Sequence, residues 1–361
     1  MREIQKVAVL GAGNGGCAAA AILTLRGFEV RLYSGSEDRL RVLRDGITVR
    51  HAYEGFARPS LITTDLKLAV AGADLVMPVI PSVAHKDYAH LLAPLLERQQ
   101  IVFLNPGHTG GALNFAAVLR KFGGPPVPVC ESVTLTYICR MEEDAVVGVY
   151  RETTNLRFAA LPALYTHEMA QLLSPLFANL CAAQNVLETS FMNINAVIHP
   201  PGMLMNAGWV EFTGGDFLFY KQAIGPAVAR VIEAVDAERL AVSKRLGIEV
   251  PTFIDYFFEA GLTTEAGKAS CSVYQAMQES GPNQTIKSPP TMDHRYIEED
   301  IGYGLVPMAE FGRLVDVPTP AMDSLITLAS LVRGKNYRAT GLTLRRMGLA
   351  GLSPERIISS I

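Results

Sequence analysis

Residues 7–16, VAVLGAGNGG, restrict the rest of this chain more than any other segment. A short apolar run meets Gly11, Gly13, Gly15 and Gly16 and passes directly into an alanine-rich stretch. The pattern G-x-G-x-x-G falls on Gly11, Gly13 and Gly16, after a strand-like run and before a helix-like one. In such a turn Gly11 permits the tight bend, Gly13 lets the backbone approach a pyrophosphate, and Gly16 lets helix pack closely on strand, with Asn14 inside the turn. The free N–H groups of the helix N-terminus then face the anion. The spacing predicts a dinucleotide site at the head of a βαβ unit. Residues 7–25 are nearly uncharged and follow Arg2 and Lys6, which mimics a signal peptide or membrane span, but the glycines interrupt any such helix. No other apolar run is long enough to span a bilayer, so no membrane partner is expected.

The alternation continues. Strand-like runs at Lys6–Leu10, Glu29–Tyr33, residues 74–80, Ile101–Leu104 and residues 127–130 are separated by helix-like runs at residues 14–26, 37–44 and 111–122. Strands alternating with such helices predict an α/β domain with a parallel sheet covered on both faces. Residues 47–63 alternate loosely and suggest an antiparallel hairpin. Residues 134–139, 146–150 and 156–161 are strand-rich and are expected to extend the sheet with mixed pairing. From about Thr189 the texture becomes helical, with a long apolar period over residues 223–246. Thr319-Pro320 and Ser353-Pro354 each read as an N-cap followed by proline in the first helical position. The expected organisation is a Rossmann-type domain over residues 1–187 and a helical domain for substrate and dimerisation over residues 188–361.

The residue that usually ends the second strand of this motif is acidic and binds the ribose 2′-OH. Here Ser34 occupies that place, followed by Glu37, Asp38 and Arg39. A serine can donate to a 2′-phosphate, and Arg39 or Arg31 can neutralise it. This favours NADP(H) over NAD(H); the alternative is that Glu37 or Asp38 reaches the ribose. Two further loops follow strands, one at Pro81-Ser82 and one running from Asn105 through Pro106 and Gly107 to Gly111. Ligands bind at the carboxyl ends of strands in open α/β sheets, so Pro81, Asn105 and Gly107 are cofactor candidates, with ordinary turn chemistry as the other reading.

With 32 basic against 35 acidic residues the net charge is −3, which excludes a general affinity for nucleic acid. Cys17, Cys130, Cys139, Cys181 and Cys271 are scattered and odd in number, with no C-x-x-C, which suits a reducing cytoplasm. None of the seven histidines forms H-x-x-x-H and no carboxylate cluster completes a triad, so no metal is expected. His199 stands before Pro200-Pro201, which are expected to terminate its helix, and an imidazole at such a break can serve a carbonyl or imine reduction. Within residues 292–300 (MDHRYIEED), Arg295 suits a carboxylate clamp and Asp300 can hold a histidine's tautomer. Structural roles fit both segments on sequence alone: a packed histidine and a solvated helix face. Trp209, Phe212, Phe217, Phe219 and Tyr220 fit either an apolar pocket or core and interface.

Taken together, residues 7–16, 104–113 (LNPGHTGGAL), 193–200 (NINAVIHP), 235–239 (VDAER) and 295–307 (RYIEEDIGYGLVP) resemble the opine dehydrogenase family of the octopine/nopaline type. The likeness is strongest to bacterial enzymes that reductively join an α-keto acid to an amino acid. It implies an N-terminal Rossmann domain, an all-α C-terminal domain resembling that of 6-phosphogluconate dehydrogenase, and substrates in the cleft between. It further implies that His199 is the catalytic histidine, Asp300 its carboxylate partner, and Arg295 the holder of the keto-acid carboxylate. Glu131, Ser132 and Thr134 fall where the family contacts substrate or cofactor. A homodimer is compatible with this. Two other readings stay open: a simple 2-keto-acid or ketopantoate-reductase-like dehydrogenase, and a non-catalytic NADP(H)-binding redox sensor.

Overall fold

The computed structural model describes residues 3–361. The chain divides into two compact units, one ending at Thr189 and the other spanning Ser190–Ser360.

The strands of the first unit are β1 (Lys6–Leu10), β2 (Glu29–Tyr33), β3 (Ile47–His51), β4 (Gly55–Ala57), β5 (Leu61–Thr63), β6 (Leu75–Pro78), β7 (Ile101–Leu104), β8 (Val129–Ser132), β9 (Tyr137–Glu143), β10 (Val146–Glu152), β11 (Leu156–Leu161) and β12 (Leu180–Ala182). An eight-stranded sheet has the order β12-β11-β8-β7-β6-β1-β2-β5. Pairing is parallel from β5 to β8, antiparallel between β8 and β11, and parallel between β11 and β12. Every residue of β6 and β7 is buried, as a parallel strand covered on both faces requires. Because β1 pairs β2 on one side and β6 on the other, the direction of travel reverses there. The carboxyl ends of β1 and β6 therefore flank the crevice where open α/β sheets bind ligands.

The expected hairpin forms from β3 and β4, while β5 joins the main sheet. The expectation for residues 134–139 and 146–150 is corrected. Those segments do not extend the main sheet. They form β9 and β10 of a separate four-stranded sheet, ordered β4-β3-β10-β9. β9 alternates in exposure along its length and the end of β10 is exposed, so these strands need cover on one face only. That cover is helix α1 (Asn14–Leu25), whose residues 15–23 are all buried. Its alanines pack in one cluster with Val7 and Val9 of β1 and with Ile47, Val49, Ala57, Val147 and Val149 of the small sheet. Gly27, at φ +91°, ends the helix, and Phe28 N–H donates back to the Leu23 carbonyl.

The second unit is helical, with one isolated bridge between Leu218 and Lys287 among the described residues. The long period predicted for residues 223–246 is the 20-residue helix Pro226–Arg245. Arg239 is fully buried there. It donates to Asp236 Oδ1 and to the carbonyls of Phe191 and Pro251, while Asp236 accepts from Phe253 N–H at 2.8 Å. The VDAER segment is thus a structural pin joining three stretches of chain. Of the two predicted caps, Ser353 accepts from Arg356 N–H. Thr319 makes no cap bond; the N–H groups of Ala321 and Met322 are instead taken by the Glu238 carboxylate, at 2.6 and 2.9 Å. No helix among the described residues is long and apolar enough to cross a membrane.

Candidate active site

The glycine turn follows β1 and opens α1, as its spacing predicts. Gly11 has φ +119°, and a Cβ there would lie 2.5 Å from the Val79 carbonyl oxygen, so the loops after β1 and β6 touch. A Cβ on Gly16 would lie 1.7 Å from the Gly11 oxygen, which seats the helix on the turn. Gly13 differs, since a Cβ there would meet no protein atom within 4 Å. Open space beside free N–H groups at a helix N-terminus fits a dinucleotide pyrophosphate. Asn14 is exposed, and its Oδ1 accepts from Met141 N–H of β9 at 3.0 Å, which fixes the turn to the small sheet.

Ser34 lies buried just past β2, and its Oγ accepts from Ser36 N–H at 3.2 Å. Arg31 is committed elsewhere: it bonds Glu29 and donates to the carbonyls of Leu68 and Ala71, which removes it as a phosphate ligand. Glu37 pairs with Arg44 and Asp38 with Arg41. Arg39 is exposed on α2 (Glu37–Arg41) and makes no ion pair among the described residues.

Pro81 is exposed at the end of the loop after β6. The Asn105 side chain is fully buried and spent on the protein. It donates to Thr136 Oγ1 and accepts from Thr136 N–H and Ser132 Oγ, so it holds the loop after β7 against β8. Gly107 is required by Glu131: a Cβ there would lie 2.1 Å from Glu131 Oε2. Glu131 is fully buried, accepting from Ala112 N–H at 2.8 Å and from Thr189 Oγ1. Burial pushes its carboxyl up to about 7, against those two bonds. Thr134 is half-buried and its carbonyl accepts from Ser132 Oγ.

In the second unit, the helix Asn195–Leu204 carries His199. The expected stop at Pro200-Pro201 is corrected: the helix runs through both prolines. Each lacks the N–H that would reach the carbonyl four residues back, but residues 196–203 are all buried, and that packing outweighs two absent bonds. Residues 292–300 are not a solvated face either. The helix Arg295–Asp300 buries Ile297, Glu299 and Asp300. The turn that follows, Ile301–Leu305, lies tight on the His199 helix, since a Cβ on Gly304 would come 2.5 Å from Ala196 Cβ. This brings Asp300 Oδ2 to 2.7 Å from His199 Nδ1, with the two residues 3% and 5% exposed. The Arg295 guanidinium is half exposed and lies 2.6 Å from the buried Glu299 carboxylate.

A buried imidazole–carboxylate pair, on the same short helix as a half-exposed arginine, can exchange a proton beside a bound carboxylate. The family model for the α-helical domain of NAD/NADP octopine/nopaline dehydrogenases matches residues 182–333, and that for the N-terminus of NAD-dependent glycerol-3-phosphate dehydrogenase matches residues 6–115. An opine dehydrogenase from Arthrobacter sp. (strain 1C) is 36% identical over 364 residues, covering 100% of both chains. This chain belongs to the opine dehydrogenase family. It is accordingly an NAD(P)-dependent oxidoreductase for reductive condensation of a keto acid with an amino acid. The fold is shared with octopine dehydrogenase solved with NADH and L-arginine (TM-score 0.80, 22% identity, 99% of this chain and 98% of that one). It is shared too with yersinopine dehydrogenase solved with NADP+ (TM-score 0.74, 13% identity, 96% and 97%).

Three side chains around His199 and Arg295 carry no role in the chemistry by sequence reasoning. Tyr296 stacks on the imidazole with centroids 3.5 Å apart and planes 9° apart. Tyr220 places its hydroxyl 2.8 Å from Nε2. Glu299 pairs with Arg295. Glu299 is the one with a signal, an i,i+4 spacing from an arginine. The aromatic run divides: Phe217 and Phe219 are buried, Trp209 stacks on Phe217, and Phe212 is 91% exposed. Among the described residues no group of three or more His, Cys, Asp or Glu is arranged for a metal.

Proposed function

We propose that His199 is the acid–base group of the condensation, that Asp300 stabilises its charged form, and that Arg295 binds the keto-acid carboxylate. The observation that carries this is the buried 2.7 Å His199–Asp300 contact, with Asp300 closing the short helix that the half-exposed Arg295 opens. The first unit binds the dinucleotide at Gly11, Gly13, Asn14 and Gly16, with Pro81 and the loop of Asn105 and Gly107 beside it. Thr134 contacts substrate, whereas Glu131, fully buried with both carboxylate oxygens bonded within the protein, does not reach it and instead shapes the loop at Gly107. When bound, the nicotinamide supplies hydride to the carbon that joins the two substrates. Arg295 fixes that carbon through its carboxylate, which turns a three-body encounter into an oriented one. His199 gives up a proton as the carbonyl oxygen departs and takes it back when the reaction reverses.

NADP(H) is the preferred cofactor. Ser34 replaces the acid that would repel a 2′-phosphate, the exposed Arg39 five residues on makes no ion pair among the described residues, and Glu37 and Asp38 face arginines. The relatives solved with NADH and with NADP+ show that the shared fold accepts either. A homodimer and a cytoplasmic location complete the reading. An exposed stripe of Leu328, Leu331 and Val332 supports the first, and five free cysteines support the second.

The test is consumption of NADPH and NADH with pyruvate, oxaloacetate or 2-oxoglutarate, each alone and each with a panel of amino acids. Consumption that needs both substrates is expected; consumption with a keto acid alone would mean a simple dehydrogenase. His199→Ala should abolish turnover and leave NADPH binding intact. Loss of binding as well would make His199 structural.

A further inference from the structure

Both ring nitrogens of His199 are already engaged. Nδ1 faces Asp300 and Nε2 lies 2.8 Å from the Tyr220 hydroxyl. An acid–base histidine must pass its proton to something beyond itself, and the nitrogen free of the carboxylate is covered by a phenol. His199 is 5% exposed whereas Tyr220 is partly exposed, so of the two side chains the tyrosine is the one open to solvent. Tyr220 is firmly held on the turn Phe219–Ala223. Its ring meets Phe219 edge-on at 5.1 Å, and its hydroxyl lies 3.4 Å from that of Tyr296.

Building on the acid–base reading of His199, we propose that Tyr220 is a further catalytic residue whose hydroxyl carries the proton between His199 Nε2 and the departing oxygen of the substrate. Burial, with Tyr296 and Asp300 adding to it, keeps the phenol well above its ordinary value, so it acts as an O–H donor and not as a phenolate. The Arg295 guanidinium is near enough to oppose that shift, which puts the carboxylate clamp and the phenol on the same neighbourhood of the fold. The step balances. The carbinolamine loses its C–O bond as the nitrogen lone pair closes C=N. The leaving oxygen takes the Tyr220 proton and departs as water, Tyr220 takes the Nε2 proton of the imidazolium, and His199 ends neutral beside an iminium. No electrons change hands until hydride arrives.

The test compares Tyr220→Phe with His199→Asn, using thermal melting followed by circular dichroism to confirm the fold, and adds single-turnover rates of the wild-type enzyme in mixtures of H2O and D2O. A relay predicts that Tyr220→Phe loses about 100-fold or more in kcat with the keto-acid KM unchanged. It also predicts a bowl-shaped isotope dependence for the wild type, because two protons move together. Wild-type kcat in Tyr220→Phe, or a linear isotope dependence in the wild type, would overturn the relay. If His199→Asn is inactive in that case, the acid–base reading survives without Tyr220. An active His199→Asn would remove both. The isotope measurement needs no variant, so it decides even if Tyr220→Phe fails to fold.

Discussion

Replacing Asp300 by asparagine keeps the shape of the side chain and removes its charge. The His199–Asp300 pair is almost wholly shielded from water, with neither residue above 5% exposed. Two unit charges with centres about 4 Å apart attract by about 4 kcal/mol at an effective dielectric constant of about 20. That attraction exists only when His199 is protonated, so its loss raises the barrier of each step that passes through the imidazolium. At about 1.36 kcal/mol per decade, Asp300→Asn should lower kcat about 1000-fold. The assay is NADPH consumption at saturating keto acid and amino acid, beside a fluorescence titration of NADPH. Dinucleotide affinity should hold, because the glycine turn belongs to the other unit. Asp300→Ala should lose as much activity and melt at a lower temperature, since it leaves a buried ring nitrogen unpaired at a cost of about 1–3 kcal/mol. An Asp300→Asn enzyme whose kcat falls by less than about one decade, or about 1.4 kcal/mol, would refute the reasoning, because the imidazolium would then not depend on its carboxylate.

Gly11→Ala should destabilise the protein by about 3 kcal/mol, because φ +119° and the Val79 oxygen 2.5 Å from the new Cβ leave no relaxed arrangement. Gly13→Ala should change stability by less than about 0.5 kcal/mol yet weaken NADPH binding more than about tenfold, and melting curves with titrations separate the two. Glu131, held at about 7 by burial, binds its proton more tightly in the native state than in the unfolded chain. Its contribution to stability is therefore fully present below the ordinary carboxyl value of 4.5, declines as pH rises toward about 7, and is constant above that. The loss is about 3 kcal/mol and should vanish in Glu131→Gln; parallel pH profiles of the urea midpoint for the two proteins would contradict this. Ser34→Asp should shift the ratio of kcat/KM for NADPH over NADH at least about tenfold toward NADH, and an unchanged ratio would sink the argument for a 2′-phosphate site.

The first unit was largely legible because its signals are local. A glycine turn, apolar strands and Gly27 each act within a few residues, and β1, α1 and β2 fall where the pattern puts them. The fate of residues 134–150 was not legible. Whether a half-covered strand pairs with the main sheet or caps a helix depends on what lies opposite, which no local pattern records. The same limit explains the prolines after His199: local chemistry predicts a stop, and burial of residues 196–203 overrides it. Local chemistry marked His199, Arg295 and Asp300 as candidates, but only the family resemblance joined them into one site, since His199 and Asp300 lie 101 positions apart and leave no spacing to read. Tyr220 had no signal of its own, as one aromatic in an aromatic-rich stretch looks like core.

Helix α1 is gripped between two sheets, and Asn14 at its tip is tied to the backbone of Met141. Whatever occupies the turn at Gly13 therefore pulls on the small sheet too. By thermodynamic reciprocity, loading the turn should slow amide exchange in β9 and β10, and loosening that hairpin should weaken binding by an equal free energy. The small sheet, tied to the turn through Asn14, acts as a tension gauge for the occupancy of the helix N-terminus.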